Sequence, residues 1–342
     1  MLKHLHDLIF RNRFHAFGAH FYSEFQPQGL ENPTLVCSNA DVVQQLGLHA
    51  NEVNTDLFLQ VFSGNTLLPG MQPLAQDYAG HQFGHFNPFL GDGRAVLLGE
   101  VETPDGIVDL YLKGVGKTPY ARTADGRAGL RECLHEFDTT EQLAALGVPT
   151  ARCLCVTSGS QQVYRQGFEP IAMVTRIVPS HVRFGTFENY FFQKNPAALR
   201  QLADHVIACH FPACAAEGEA CYAAFFREVV LRTARLIAHW QAVGFVHGVM
   251  NTDNQSILGI TLDVGASTFT PARDPLCVSH PDDEHGRYAF GQQPVVGLWN
   301  CNVLARALSP LITADALRSA LLGYEPEYLR HYAALISESD GV

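Results

Sequence analysis

No apolar run in this chain reaches membrane-spanning length, no two cysteines stand in a CxxC spacing, and cations are outnumbered by acids. Each scarcity excludes something. Without about 18 consecutive apolar residues there is no spanning helix to read. The N-terminus, MLKHLHDLIFRNRF, has no uninterrupted apolar core followed by a small-residue cleavage site, so no secretory signal is read. Nine cysteines, an odd number scattered from Cys37 to Cys301, argue for reduced thiols in a cytoplasmic setting rather than a disulfide framework. Cys153 and Cys155, in ARCLCV, alternate as one face of a strand does and lack zinc-ligand spacing. A net charge of −11, from 23 Lys and Arg against 34 Asp and Glu, excludes a broad electrostatic footprint for nucleic acid. Neither a nucleic acid nor a membrane is expected as partner. No internal repeat or low-complexity tract is visible.

What is present is a globular composition, 342 residues with 47% hydrophobic and 17% charged content. That is long enough for one bilobal domain or two small ones. The few cations are concentrated: Lys113, Lys117, Arg122, Arg127 and Arg131 share one short stretch, and Arg176 and Arg183 follow. An acidic chain that gathers its cations in this way is suited to gripping a small anion, phosphate above all.

Along the chain, residues 1–65 mix aromatic-rich segments with a helix expected from Asn39 to Leu46, capped by Ser38. From Tyr78 glycines punctuate aromatics (Gly80, Gly84, Gly91, Gly93) before a strand at Ala95–Val101. A Pro-Asp-Gly turn leads to a return strand at Ile107–Lys113, with Leu110 and Leu112 on one face and Tyr111 and Lys113 on the other. A helix is expected from about Gly126, stopped by Gly147 and Pro149. It carries Glu136 beside its apolar face, where a carboxylate needs a partner, and Lys113 is the natural one. Strands follow at Arg152–Thr157, Gln162–Tyr164 and Ile171–Ile177. Helices follow at Pro196–His210, Tyr222–Val243, from about Trp299, and lastly Ala314–Leu322.

Between the helices lies HGVMNTDNQSILGITLDVG, from His247 to Gly265. Asp253 and Asn254 stand side by side, an apolar run (Ile257, Leu258, Ile260, Leu262) reads as a short strand or hairpin, and Asp263 precedes a glycine by two positions. A carboxamide and a carboxylate brought together by a hairpin supply the hard oxygens that a phosphate-bound divalent cation takes. Ordinary turns use the same residues.

A glycine-rich loop, a strand lysine, a helical glutamate and an Asn/Asp loop, in that order, are the parts with which a protein kinase holds a nucleoside triphosphate. The spacing agrees at His247, Asn254 and Asp263, but Val249 stands where the catalytic Asp belongs and an Asp appears instead at position 253. The expected fold class is therefore α+β, a bilobal protein-kinase-like fold with a sheet-rich N-lobe carrying one main helix and a mostly helical C-lobe. The expected divisions are residues 1–65 as an N-terminal extension packed on the domain, 66–185 as the nucleotide-binding N-lobe, and 186–342 as the helical C-lobe.

The segments YAGHQFGHFNPFLGDGRAVLLGE, LKGVGKTPYARTADGRAGLRE, SHVRFGTFE, GFVHGVMNTDNQSILG and GRYAFGQQP closely resemble the selenoprotein O family of pseudokinases, from about Asn65 to Ile312. The resemblance implies protein adenylylation: ATP bound inverted relative to kinases, with AMP passing to a Ser, Thr or Tyr hydroxyl of a protein. It implies that Gly91, Gly93, Arg94, Lys113, Asp125 and Gly126 contact the nucleotide, and that Arg176 and Arg183 hold the terminal phosphates. It implies Asn254 and Asp263 as ligands of magnesium, or manganese, with Asp263 also at the nucleotide. It implies further that Asp253 takes the hydroxyl proton and that Glu136 pairs with Lys113. The chain departs from the family after Asp263, in VGASTFTPARDPLCVSH, and members usually continue through further helices beyond the length seen here, so a C-terminally short form is expected. Two other readings stay open from sequence alone, a nucleotide-binding scaffold without catalysis and a conventional kinase.

Overall fold

The structure, a computed structural model, describes residues 2–339. It divides into two compact units: one comprises the chain up to Asp77 with Phe89–Ala144 and Ala151–His181, the other Tyr78–Pro88, Ala145–Thr150 and the chain from Val182 onward. In chain order the strands are β1 (Tyr22–Glu24), β2 (Thr34–Ser38), β3 (Leu74–Gln76), β4 (Gly80–Gln82), β5 (His85–Asn87), β6 (Ala95–Thr103), β7 (Gly106–Lys113), β8 (Ala128–Gly129), β9 (Arg152–Tyr164), β10 (Phe168–Val178), β11 (Phe245–Val246) and β12 (Thr268–Phe269).

The first unit is built on an antiparallel sheet in the order β1-β3-β6-β7-β10-β9-β2, with β8 paired to β10. Its helices are α1 (Ala40–Gln45), α2 (Asp56–Phe62) and α3 (Leu130–Ala145). Alternation along the strands gives the sheet two buried faces. On one, Leu110, Leu112, Met173 and Ile177 join Val42, Val43, Phe58 and Phe62 of α1 and α2 in the main core. On the other, Cys153, Val156, Ala172 and Val174 pack with Cys133 of α3. Lys113 lies opposite Val174 and Tyr111 opposite Arg176. Cross-strand partners share a face, so Lys113 and Arg176 both belong to the α3 face.

The second unit is helical: α4 (Phe184–Phe192), α5 (Pro196–His210), α6 (Glu219–Val243), α7 (Gln293–Leu308), α8 (Ala314–Leu321) and α9 (Tyr324–Ser339). Phe225, Val229, Leu236, Ile237 and Trp240 of α6 are all buried, as the apolar period requires. Gly244 ends the helix in the left-handed conformation (φ 73°) and turns the chain into β11. No helix among the described residues is long and apolar enough to cross a membrane.

The α+β class stands, while several boundaries differ from expectation for identifiable reasons. Asn39, not Ser38, caps α1, accepting from the Asp41 and Val42 amides. The segment before α3 is drawn into the sheet as β8, so the helix begins at Leu130 rather than Gly126. Pro294 sits in the first turn of α7, where no amide donor is needed, and the helix starts at Gln293 rather than near Trp299. Beyond α8 the chain forms one more helix, α9, where the sequence pattern places none. The apolar run 257–262 makes isolated bridges only, not a strand. Gly259 (φ +69°) turns there against the backbone of Arg232, and the chain curves too sharply for a ladder.

Candidate active site

Lys113, Arg94 and Arg176 belong to the first unit. Lys113 ends β7 and is ion-paired with Glu136 of α3; its Nζ also stands 2.9 Å from Glu132 Oε1, one helical turn earlier. Arg94 forks onto the same Glu132, with Nη1 and Nη2 donating at 3.0 and 2.6 Å. Arg176 Nη1 is 3.8 Å from the other oxygen of Glu136. Lys113, Arg94 and Arg176 thus gather around the Glu132 and Glu136 carboxylates. Burial and the Arg94 guanidinium push the Lys113 ammonium toward neutrality, yet Glu136 and Glu132 outweigh them and its pKa stands above the ordinary value. Burial works against the Glu132 carboxylate as well, but Lys113 and Arg94 hold it down at about 2. Lys113 and Glu132 are therefore both charged near neutral pH. Glu132 was not singled out from sequence; its position four residues before Glu136, hence on the same helix face, was the available signal.

Gly91 and Gly93 flank Asp92, whose buried carboxylate accepts from the Gln76 amide (2.8 Å) and from the Tyr111 hydroxyl. Thr118 Oγ1 donates to its carbonyl at 2.6 Å. Gly91 has φ +117°, and a Cβ there would strike the Tyr120 ring and the Gln76 carbonyl; only glycine fits. Gly126 (φ +73°) is pressed in the same way against the backbone of Gly116. Asp125 accepts from Arg165 Nη1 and Nη2, each at 2.9 Å, and from the Arg127 amide at 2.8 Å. These bonds, the Arg165 bond foremost, lower its pKa.

The acidic loop lies in the second unit, between β11 and β12. His247 is buried and anchors it: Nε2 bonds the Leu262 carbonyl at 2.8 Å, and Nδ1 accepts from the Val249 amide at 3.4 Å. That network assigns a neutral Nε2–H imidazole, and burial lowers the His247 pKa in agreement. Two side-chain amides hold the backbone around it. Gln293 accepts from the His247 amide (2.9 Å) and donates to the Phe245 carbonyl (2.9 Å), and Asn300 donates to the Met250 carbonyl (2.9 Å). Asp263, immediately after the anchored Leu262, takes a left-handed conformation (φ 56°, ψ 55°).

Asp253 and Asn254 occupy a single 3-10 turn. Asn254 Nδ2 donates to the Val249 carbonyl at 3.0 Å, which commits its amide and leaves Oδ1 as an acceptor. Asp253 is 7% exposed. Its Oδ2 accepts from Gln82 at 3.2 Å, and its Oδ1 meets no protein donor. Burial raises the Asp253 carboxyl to about 7, against the opposing pull of Arg183. Arg183 Nη1 donates to the Asp253 carbonyl at 2.9 Å and is ion-paired with Asp263, and its guanidinium lies 5.0 Å from the centre of the Tyr78 ring. Of the residues expected from sequence, Asp253, Asn254, Asp263 and Arg183 therefore stand together in the second unit, and Arg94, Lys113, Glu136 and Arg176 in the first.

The β4–β5 hairpin belongs to the second unit, so Gly80 and Gly84 are not part of the glycine loop before β6. Gly80 packs directly on Asp253, and the Ala79 amide donates to the Gly185 carbonyl of α4 at 3.2 Å. A Cβ on Gly185 would collide with the Ala79 carbonyl. Gly185→Ala should therefore displace the hairpin and cost about 1–3 kcal/mol, read as a lowered melting temperature with reduced turnover.

Asn254 and Asp263 offer two hard oxygens to a divalent cation, and Oδ1 of the adjacent Asp253 meets no protein donor. Among the described residues no group of three or more His, Cys, Asp or Glu could form an all-protein cage. The donor set fits a cation that completes its shell with phosphate and water.

The profile of the protein adenylyltransferase SelO family matches residues 4–342. A protein nucleotidyltransferase YdiU of Pseudomonas fluorescens is 47% identical over 336 residues, 98% of this chain and 69% of that protein. The Chromohalobacter salexigens protein of the same name is 48% identical over 97% of this chain and 68% of its own length. That of Ectopseudomonas mendocina is 45% identical over 100% and 70%. The chain thus spans about 70% of the length of these relatives. ROP2 from Toxoplasma gondii, described as a virulence factor with a protein-kinase fold and no enzymatic activity, aligns at TM-score 0.36 and 12% identity over 73% of this chain and 79% of its own.

Proposed function

The chain belongs to the protein adenylyltransferase SelO family, and on that premise we propose that it transfers AMP from ATP to Ser, Thr or Tyr hydroxyls of proteins, with Mg2+ as the metal. The observation that carries the reading is Asp253. A buried carboxylate with one oxygen free of protein donors and a pKa raised to about 7 has the chemistry of a general base. Val249, at the position an ordinary kinase gives its base, has no group that can take a proton.

In the proposed reaction the acceptor hydroxyl oxygen forms a bond to the α-phosphorus as the bond from that phosphorus to the bridging oxygen of pyrophosphate breaks. The hydroxyl proton passes to Asp253, and the electron pair leaves with pyrophosphate. Arg94, Lys113 and Arg176 are assigned to neutralising phosphate charge, and Arg183 is assigned the same role, each arginine able to bond two phosphate oxygens. Glu132 and Glu136 hold the first three of these cations extended before the nucleotide arrives. Asn254 and Asp263 would hold Mg2+, which when bound neutralises and orients phosphate oxygens. Gly91, Gly93, Asp125 and Gly126 complete the nucleotide contacts. Nine free cysteines suit a reducing cytoplasm, where we place the activity.

Intact-mass spectrometry of an acceptor protein after incubation with the chain, Mg2+ and ATP tests the reading. The expected result is an added mass of one adenylyl group, reduced at least about a hundredfold in rate by Asp263→Ala. Undiminished transfer by that variant refutes the metal assignment.

A further inference from the structure

Three consecutive residues of the β4–β5 hairpin bond three consecutive residues of the acidic loop. The His81 amide donates to Thr252 Oγ1 at 2.7 Å, Gln82 Nε2 to Asp253 Oδ2 at 3.2 Å, and the Phe83 amide to Asn251 Oδ1 at 3.1 Å. None of these hairpin residues has a part in the nucleotide or metal contacts proposed above.

The hairpin is built to hold this position. Its two-residue turn has both φ angles positive, Phe83 at +49° and Gly84 at +86°, the conformation whose twist suits a tight hairpin. For phenylalanine that conformation is unfavourable. The Phe83 amide, bonded to Asn251 and to the Tyr288 hydroxyl at 2.9 Å, and its ring, 5.2 Å from that of Tyr288, hold it there. At the other end His81 Nδ1 meets the buried Glu188 of α4 at 2.5 Å. The Gln82 amide is itself oriented: its Oε1 accepts from Asn87 Nδ2 across the hairpin at 3.2 Å. With the oxygen engaged by a donor, the nitrogen is committed to Asp253.

We infer that Gln82 is a positioning residue for the adenylyl transfer, clamping one carboxylate oxygen of Asp253 so that the other is the one presented to the acceptor hydroxyl. The inference rests on the reading of Asp253 as the base. A neutral amide suits this role, because a cation here would pair with the carboxylate and compete with the proton, and a second carboxylate would repel it. Asn87 acts one step further back, through the amide it orients.

The test uses α-labelled ATP, Mg2+ and a heat-treated bacterial protein extract as acceptor, with four variants of the full chain. Gln82→Leu is expected to slow transfer at saturating ATP about tenfold while the KM for ATP stays within about twofold, since misaligning a reacting group lowers turnover rather than nucleotide binding. Asn87→Ala should do the same to a smaller degree. In an Asp253→Ala background Gln82→Leu should cost nothing further, because the residue it positions is gone. If Asp253→Ala alone leaves transfer intact, the base reading fails and the inference with it. If Asp253→Ala abolishes most transfer while Gln82→Leu changes nothing, or raises the KM and lowers turnover in parallel, the base stands and the role of Gln82 is overturned. A thermal melt accompanies each variant. Should Gln82→Leu melt several degrees low, the Asn87→Ala kinetics decide, a kcat loss at constant KM supporting the inference and wild-type kinetics overturning it.

Discussion

Asp253→Asn is expected to lower the rate of AMP transfer by about a hundredfold to ten-thousandfold, the range supplied by a positioned general base, and to stabilise the metal-free protein. The two effects share one cause. Burial raises the Asp253 carboxyl to about 7 in the folded state, whereas in the unfolded chain it titrates near the ordinary value of about 3.9. Between those values the folded state holds a proton that the unfolded state has lost, so the contribution of this carboxyl to stability is fully present at low pH and is lost as pH rises through 7. Asparagine carries no such dependence and can still accept from Gln82. From pH 5 to pH 8 the stability gap between variant and metal-free wild type should widen by about 2–3 kcal/mol in favour of the variant. Paired thermal melts across that range, in chelator, measure it. A constant gap would show that Asp253 is not held near neutrality by burial. Mg2+ should narrow the gap at pH 8 by binding beside the carboxylate that the variant lacks.

Lys113→Met should abolish productive ATP binding and destabilise the first unit by about 3–5 kcal/mol, because Glu136 is fully buried and would lose its nearest counter-charge, keeping the more distant Arg176 and Arg94. The loss would belong to the orphaned carboxylate rather than to the missing ammonium. Adding Glu136→Gln to Lys113→Met is therefore expected to restore most of the melting temperature and none of the activity. A double variant as unstable as the single one would show that Lys113 supports the fold by packing alone. Activity in either variant would remove Lys113 from the anion site.

The Lys113–Glu136 pair was legible because each partner sits on a regular element: period two set the lysine on the face away from Leu112, and a carboxylate at a helix's apolar margin demands a counter-ion. The acidic loop was legible through Asn254 and Asp263, whose spacing survives although Val249 stands where a kinase has its Asp. Other parts were hidden by range. Gln82 lies 171 residues before Asp253, and no local pattern connects a glutamine in an aromatic hairpin to a carboxylate so far away. The hairpin reads from sequence as continuous with the glycine loop of β6, its neighbour along the chain. Gln293 and Asn300, which hold the loop backbone, look like ordinary helical amides until their carbonyl partners are known. Conversely, the apolar run 257–262 suggests a strand because alternation describes burial, and here burial is achieved by a curved segment that turns against α6.

Parallel incubations with ATP labelled at the α- or the γ-phosphate, with Mg2+ and an acceptor protein, separate adenylyl from phosphoryl transfer. α-Label is expected on the acceptor and γ-label in released pyrophosphate, with the α-label lost in Asp253→Asn. Label from the γ-phosphate on the acceptor, with none from the α-phosphate, would contradict adenylyl transfer.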